Sequence, residues 1–225
     1  MGSDDLFYKR KQRLAASLKR KKAKQAPYDR VLVVCEGAKT EPNYFREIRD
    51  AYRLNTANID ICGQECGSDP LSVVNYAIRK FREDSDYDRV YCVIDRDKHS
   101  TFDAAIDKLN QTRLGKGVVF IAITSVPCFE FWLLLHFGFT TRQFCAPGNA
   151  SNCELVLAEL NKRELIPGYS KGAMNIFALT KERLTDAIRH ANQLQQYHQA
   201  SGTNNPSTNI HELIEYLISL NYSPS

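Results

Sequence analysis

Three short runs of apolar, mostly β-branched residues are the strongest constraint on the fold of this chain. They are RVLVVC at 30–35, RVYCVI at 89–94 and VVFIAI at 118–123. Continuous rather than alternating apolarity is typical of strands buried on both faces, as in a parallel sheet. A weaker strand is expected at 58–62, and helices are expected at 41–54, 69–82, 100–112 and 127–137. This alternation predicts an α/β fold with a mainly parallel, Rossmann-like sheet flanked by helices.

The chain divides into three predicted parts. Residues 1–27 are basic and are expected to form a helical or disordered arm. Residues 28–138 contain the strand and helix alternation and form the predicted α/β core. After residue 138 the strand signal stops, so residues 139–225 are expected to be a helical extension packed on that core, with helices at 151–164, 180–200 and 207–220.

The composition excludes several classes of protein. Of the 225 residues, 43% are hydrophobic and 25% are charged, which is ordinary globular usage and excludes wholesale disorder. No apolar run approaches the roughly 18 residues of a membrane span, and the basic N-terminus has no apolar signal core. No two of the seven cysteines have C-x-x-C spacing, which argues against a zinc ribbon. We therefore predict a cytoplasmic protein whose cysteines are buried thiols.

Acidic residues follow two of the three strong strands. Glu36 follows the first strand, and Asp95 and Asp97 follow RVYCVI. The carboxyl ends of parallel strands meet at one edge of a sheet, so these carboxylates are expected to converge there. Carboxylates held together repel one another unless their pKa values rise or a cation neutralises them. Mg²⁺, or Mn²⁺ in its place, is the expected cation because it prefers oxygen ligands. The alternative is that the acids only cap helices or turns.

A glutamate after the first strand and an Asp-x-Asp after a later one resemble the signature of the Toprim domain of primases, topoisomerases and several nucleases. Longer strings resemble the RloB-like family of small Toprim proteins. They are VCEGAKTEPNYF at 34–45, VIDRDKH at 93–99, SVPCFEFWLLLHF at 125–137 and NPSTNIHELIEYL at 205–217. Ala38 and Val126 depart from the more usual family strings, and neither position is an expected metal ligand.

The resemblance implies a Toprim fold and a metal-dependent nuclease from a bacterial defence locus, of the abortive-infection or restriction-associated kind. It also implies nucleic acid, DNA or RNA, as the substrate, and in some loci an ATPase as a partner. The rival hypothesis is a regulatory module that binds a nucleotide or protein partner without cutting. The oligomeric state stays open.

The resemblance and the chemistry of the residues together suggest roles for individual side chains. Asp95 and Asp97 are expected to bind the metal, and Glu36 either binds a metal or acts as general base on the attacking water. Glu41, in the first turn of a predicted helix, and His99 are further catalytic candidates. Lys171 is a candidate for stabilising charge on the phosphate. Cys128 is expected only to pack.

Three residues have a structural alternative beside the functional one. The first is His99, because a single histidine near a turn is more often structural. Glu130 lies in an apolar helix, where a buried carboxylate needs a partner. It either serves the active site or pairs with Lys39, Arg96 or Lys98. Lys39, at the strand-to-helix turn, either binds phosphate or balances the acids.

The N-terminal arm concentrates positive charge. Residues 1–26 hold nine of the 30 Lys and Arg residues, among them Lys19, Arg20, Lys21 and Lys22. Such an arm suits sequence-independent contact with a phosphate backbone. The alternatives are a solvated helix or tail and a docking arm for a protein partner.

Overall fold

The computed structural model describes residues 29–97, 99–148, 150–162 and 165–221. These residues form a five-stranded sheet with the strand order β2-β1-β3-β4-β5. Strands β1 to β4 are parallel, and β5 is antiparallel to β4. The strands are β1 Val31–Cys35, β2 Ile59–Cys62, β3 Arg89–Asp95, β4 Val119–Val126 and β5 Ser207–Thr208. The predicted Rossmann-like α/β class is confirmed. Lys19, Arg20, Lys21 and Lys22 lie outside the described residues.

Helices flank both faces of the sheet. They are α1 Thr40–Ala51, α2 Pro70–Glu83, α3 Phe102–Gln111, α4 Glu130–Leu135, α5 Asn152–Lys162, α6 Ile176–Thr180, α7 Leu184–Ser201 and α8 Ile210–Ser219. Two 3₁₀ turns cover Gln64–Cys66 and Lys181–Arg183. Within the described part of the chain, no helix has the length and apolarity needed to cross a membrane.

Burial on both faces explains the continuous apolar runs of β1 and β3, whereas β4 is largely only half-buried and its Ile121 is exposed. Every residue of β1 is buried, and side chains alternate between the two faces with period two. Val31 and Val33 join one core cluster with α1, α4 and the C-terminal helices. Leu32 and Val34 join the other, under α2 and α3. A strand with two apolar faces has no position for a polar side chain until it ends, and in β1 that point is Glu36.

The prediction that no strand follows residue 138 is wrong. Ser207 and Thr208 pair with β4 through Val126 and Ser125, and the backbone N–H of Asn209 donates to the carbonyl of Thr124 at 2.9 Å. Two residues are too few to carry a periodic signal. Because α8 follows this strand and enters the same core cluster as β1, the C-terminal part packs directly on the central sheet.

The prediction that all cysteines are buried thiols is also wrong. Cys145 is exposed, and Cys128 and Cys153 form a disulfide with a Cα to Cα distance of 5.6 Å. The remaining described cysteines are buried and free: Cys35, Cys62, Cys66 and Cys92. The disulfide partners come together because α5 packs on α4, which their separation of 25 positions in the sequence does not reveal.

Candidate active site

The site lies at the carboxyl edge of the sheet, between β1 and β3. From β1 the chain crosses to β2 on one side, and β3 returns on the other side, so the strand order reverses here. Ligands of open α/β sheets bind in the crevice at such a reversal. Glu36 directly follows β1, and Asp95 is the last residue of β3. The two strands thereby place the two predicted acids side by side.

Glu36 is held by two contacts. Its Oε2 accepts a hydrogen bond from the backbone N–H of Asp95 at 3.0 Å, and its Oε1 lies 3.0 Å from Nε2 of His99. The residue is only 9% exposed. Burial raises the pKa of Glu36 to about 7; the bond from Asp95 opposes the shift, while the negative charge of Glu41 adds to it.

Asp95 has one oxygen engaged and one free. Its Oδ2 accepts from the backbone N–H of Phe129 at 3.1 Å. Its Oδ1 is buried and receives no hydrogen bond from any described residue. Burial raises the pKa of Asp95 well above its usual range, and the nearby carboxylates of Glu41, Glu130 and Glu36 raise it further. Such a carboxylate is unfavourable in the folded protein unless a cation or a proton joins it.

Glu41, in the first turn of α1, also has a buried carboxylate oxygen without a hydrogen bond from the described residues. Its side chain is buried, and its Oε2 has no hydrogen-bond partner among the described residues. Burial raises the pKa of Glu41 to about 7, and the charge of Glu130 contributes to the rise. Gly37 leaves room for this carboxylate, because a Cβ at Gly37 would lie 1.8 Å from Glu41 Oε2.

Glu130, the first residue of α4, is 2% exposed and has several partners. Its Oε1 accepts a hydrogen bond from the Tyr169 hydroxyl at 3.0 Å and lies 3.8 Å from Lys171 Nζ. Its Oε2 lies 3.3 Å from Cys153 Sγ. The cation near Glu130 is therefore Lys171, which had not been considered as its partner.

The three basic residues considered as partners of Glu130 lie elsewhere or outside the described residues. Arg96 donates to Asn204 Oδ1 at 2.8 Å. Lys39 is exposed on the rim of the cleft, with its side chain against Gly172. Lys98 lies outside the described residues.

A loop from the C-terminal part closes the site. It carries Tyr169 and Lys171, and the backbone N–H of Gly172 donates to the Thr40 hydroxyl at 2.9 Å. Thr40 is the first residue of α1, so this bond ties the loop to the turn that carries Lys39. Lys171 is 57% exposed at the mouth of the cleft. The loop thus adds a solvent-accessible cation to a cleft of buried acids.

Two adjoining cavities make up the cleft, and Glu41, Asp95 and Lys171 line both. The first has a volume of about 270 Å³ and also contains Lys39 and Glu130. The second has a volume of about 220 Å³, and its further lining residues include Glu36, Ser68, Asp97, His99, Cys128 and Cys153. The cleft therefore brings together all seven residues expected to be catalytic, with Asp97 and His99 on one side of Asp95 and Glu130 on the other.

Asp97 contacts a different element from Asp95. It accepts hydrogen bonds from the Ser151 hydroxyl at 2.6 Å and from the backbone N–H of Asn152 at 3.2 Å, at the start of α5. Strand β3 ends at Asp95, and the next residues turn so that Asp97 N–H donates to the Pro127 carbonyl. Asp97 thus holds α5 in place, and its expected role as a metal ligand stays a prediction.

The donor atoms of the cleft suit a hard divalent cation. Asp95 Oδ1 and Glu41 Oε2 are buried carboxylate oxygens that accept no hydrogen bond from the described residues. Oxygen is the ligand atom that Mg²⁺ and Mn²⁺ prefer. Among the described residues, three potential ligand atoms lie within 4.8 Å of one another only at Cys128, Glu130 and Cys153. There the disulfide occupies both sulfurs. The carboxylate oxygens of Glu41 and Asp95 that lack a hydrogen-bond donor within the described part of the chain are the other candidate ligands in the cleft.

Comparison with protein-family models matches residues 31–217 to the RloB-like protein family. The chain belongs to the RloB-like family. The match confirms the resemblance seen in the sequence strings, and it spans every residue of the cleft described above. Comparisons with curated proteins and with solved structures find no match.

Some residues of the RloB-like cleft were missed by sequence reasoning. Tyr169 and Ser151 are in this group, because each acts through an acid distant in the sequence. Tyr169 has a faint signal, since it precedes Lys171 in a loop that was already a candidate. Cys153, in an ordinary helical segment, has none.

Proposed function

We propose that this RloB-like protein is a Mg²⁺- or Mn²⁺-dependent nuclease that hydrolyses phosphodiester bonds of nucleic acid. We further propose that it acts in the cytoplasm as an effector of antiphage defence. The observation that carries the proposal is the pair of buried carboxylate oxygens, Asp95 Oδ1 and Glu41 Oε2, that lack a donor within the described residues and line an open cleft.

Glu41 and Asp95 would hold the cation, with Glu36 and Glu130 beside them. A divalent ion bound there would polarise a phosphoryl oxygen and lower the pKa of a bound water. Its charge would also relieve the repulsion that raises the pKa values of these acids. The close approach of these carboxylates, which is unfavourable in the metal-free protein, would become favourable in the metal-bound protein.

Glu36 is the residue best suited to accept the proton of an attacking water. Its pKa of about 7 lies near the operating pH, where a general base is most effective. The Asp95 backbone N–H fixes one oxygen, and His99 contacts the other. His99 is partly exposed and orients Glu36 from the solvent side, where it can pass the proton onward.

Lys171 and Lys39 would bind the substrate phosphates. Both stand at the cavity that also contains Glu41, Asp95 and Glu130. Lysine contacts to phosphates give affinity without sequence preference, and they weaken with salt. Lys19, Arg20, Lys21 and Lys22 would extend this contact along the nucleic-acid backbone, and an ATPase encoded in the same locus is the proposed partner.

The test is a cleavage assay with plasmid, single-stranded DNA, total RNA and tRNA, each in Mg²⁺, Mn²⁺ or EDTA. We expect cleavage with either metal and none in EDTA. The variants Asp95→Asn and Glu41→Gln should lower the rate more than about 100-fold, because metal catalysis contributes several kcal/mol to the barrier. Glu83→Gln, an isosteric change of an exposed acid at the end of α2, is the control and should cleave normally.

Direct Mn²⁺ binding separates the nuclease from the regulatory module. Mn²⁺ that binds the wild-type protein and not Asp95→Asn, with every substrate left intact in the presence of the ATPase, would favour the module. Cleavage that survives both Asp95→Asn and Glu41→Gln would contradict the proposed site.

A further inference from the structure

Cys128 and Cys153 stand in the wall of the cleft. Cys128 precedes α4 by two residues, and Cys153 is the second residue of α5. Their Cα atoms are 5.6 Å apart, and both residues line the cavity that contains Glu36, Asp95 and His99. The four buried free cysteines pack instead around the sheet, and Cys145 is exposed. Both cysteines are almost fully buried, and this cavity is the route by which a small solute would reach them.

The pair also contacts an acid of the site. Cys153 Sγ lies 3.3 Å from Glu130 Oε2, whereas Tyr169 and Lys171 contact the other oxygen, Oε1. A thiol at position 153 can donate its S–H to Oε2, but a disulfide sulfur has no hydrogen to donate. The oxidation state of the pair thus decides whether Glu130 Oε2 keeps this donor.

We propose that Cys128 and Cys153 form a reversible redox site, and that its disulfide state binds divalent cations in the cleft more tightly than its dithiol state. The second part rests on the cation site of the proposed function. Oxidation removes a donor from Glu130 Oε2. The negative charge of Glu130, which lines the same cavity as Glu41 and Asp95, is then less offset and favours a cation bound to those two carboxylates.

The covalent link between the two cysteines is also expected to favour cation binding. It joins the segment before α4 to the start of α5, which Asp97 already holds through Ser151 and Asn152. Three segments are then fixed around one cavity: the one that follows β3, the one that precedes α4, and the start of α5. A fixed arrangement of ligands lowers the ordering required when a cation binds.

Hydroperoxides are the class of oxidant that the proposal requires. One thiol attacks the terminal oxygen of the hydroperoxide ROOH and becomes a sulfenic acid. The O–O bond breaks, and the rest of the hydroperoxide leaves as the alcohol ROH. The sulfur of the second thiol then attacks the first, which forms the S–S bond and releases water. Two small-molecule thiols reverse the step by exchange, in which the protein disulfide is reduced to two thiols and the small thiols become a disulfide.

The first measurement is the bond itself. Full-length protein is reduced, treated with hydrogen peroxide, alkylated and digested, and the peptides are identified by mass spectrometry. We expect a peptide pair cross-linked through Cys128 and Cys153 that disappears after dithiothreitol. Absence of that cross-link at peroxide levels that already oxidise the exposed Cys145 would overturn the proposal.

The second measurement is Mn²⁺ affinity, followed by electron paramagnetic resonance in both redox states. We expect the oxidised protein to bind Mn²⁺ at least about threefold more tightly than the reduced protein. The free energy of a hydrogen bond to a charged group corresponds to more than about a threefold change in affinity. Cys153→Ser keeps a hydroxyl donor and cannot form the bond. It should show the affinity of the reduced protein and no response to peroxide, whereas the control Cys145→Ser should respond like wild type.

The outcomes separate this proposal from the proposed function. Equal Mn²⁺ affinity in the two redox states overturns the coupling even if the cross-link forms. A cross-link in a protein that binds no Mn²⁺ in either state refutes the cation site and the coupling together, and leaves only the redox pair. Redox-dependent Mn²⁺ binding without cleavage of any substrate supports the coupling and counts against the nuclease.

Discussion

The two edges of the sheet differ in how their charged side chains are paired. At the amino edge, Arg89 Nε donates to Asp29 at 2.9 Å, and the Tyr216 hydroxyl donates to the same carboxylate at 2.7 Å. Arg30 pairs there with Asp84 at 2.8 Å. At the carboxyl edge, Asp95 and Glu41 each present a buried oxygen that no described residue satisfies.

The pKa values follow this difference. Burial alone would raise the pKa of Asp29, but the hydrogen bonds from Tyr216 and Arg89 bring it below its usual value. Burial also raises the pKa of Asp95, and there the surrounding acids add to the rise. The amino edge is thus complete as folded and serves stability. At the carboxyl edge Lys171 lies 3.8 Å from Glu130, but Asp95 and Glu41 each keep a buried oxygen without a hydrogen-bond donor among the described residues. Perturbed acids in a cleft are typical of functional sites.

The largest effect that tests this difference between the two edges is expected in the free energy of unfolding of the metal-free protein, measured in EDTA as a function of pH. The pKa values of Glu36 and Glu41 rise on folding from about 4.5 to about 7. A raised folded-state pKa gives stability that is present below the unfolded value and lost as pH rises through the folded value. Each carboxyl should contribute about 2.5 kcal/mol to this loss, so urea unfolding should show a loss of about 5 kcal/mol between roughly pH 5 and pH 8.

Added Mg²⁺ should largely remove this loss, because the cation stabilises the charged carboxylates. Glu41→Gln in EDTA should reduce the loss by about half without any metal, because Glu36 still contributes. A metal-free protein whose unfolding free energy is the same at both pH values would contradict the charge imbalance at the carboxyl edge.

A smaller effect is expected from Gly37→Ala, which changes no charge. The added Cβ would lie 1.8 Å from Glu41 Oε2, so the carboxylate must move. We expect Mn²⁺ affinity to fall about tenfold, the equivalent of one displaced ligand contact of about 1.4 kcal/mol. Gly138→Ala is the matched control, since a Cβ there meets no atom within 4 Å among the described residues, and its affinity should equal that of wild type. Unchanged Mn²⁺ binding by Gly37→Ala would argue against Glu41 as a ligand.

The smallest effect is expected at the amino edge, from Arg89→Met. This change removes the pair with Asp29 and the stacking of the guanidinium 4.2 Å over the Tyr216 ring. Because both side chains are partly exposed, the unfolding free energy should fall by only about 1 kcal/mol. Mn²⁺ affinity should stay at the wild-type level. A matching loss of metal binding would show that the two edges are coupled rather than independent.

The sequence predicts what local patterns determine. The apolar runs place β1, β3 and β4, and the strand ends place Glu36 and Asp95 at one edge. The loop candidate Lys171 and the helical candidate Glu130 also lie in the cleft, where they form a pair 3.8 Å apart. A strand buried on two faces and an acid at its end are both visible in a few consecutive residues.

Contacts between distant segments were not predictable in this way. Asp97 was expected at the strand end beside Asp95, but its hydrogen bond from Ser151, 54 positions later in the sequence, was not expected. The two-residue strand β5 forms because α7 returns the chain to the open side of β4. Likewise, only the packing of α5 on α4 brings Cys153 to Cys128. Each depends on the positions of whole helices, which no local pattern encodes.

The loop that closes the cleft has a consequence for synthesis. A chain leaves the ribosome from its amino end, so the four buried acids of the cleft emerge long before Tyr169 and Lys171, which contact Glu130, and before Gly172, which contacts Thr40. A nascent chain holding all four acids would still have an unfinished cleft. If the substrate under the proposed function is RNA, the protein's own messenger RNA and the translating ribosome would be spared until most of the protein has been made.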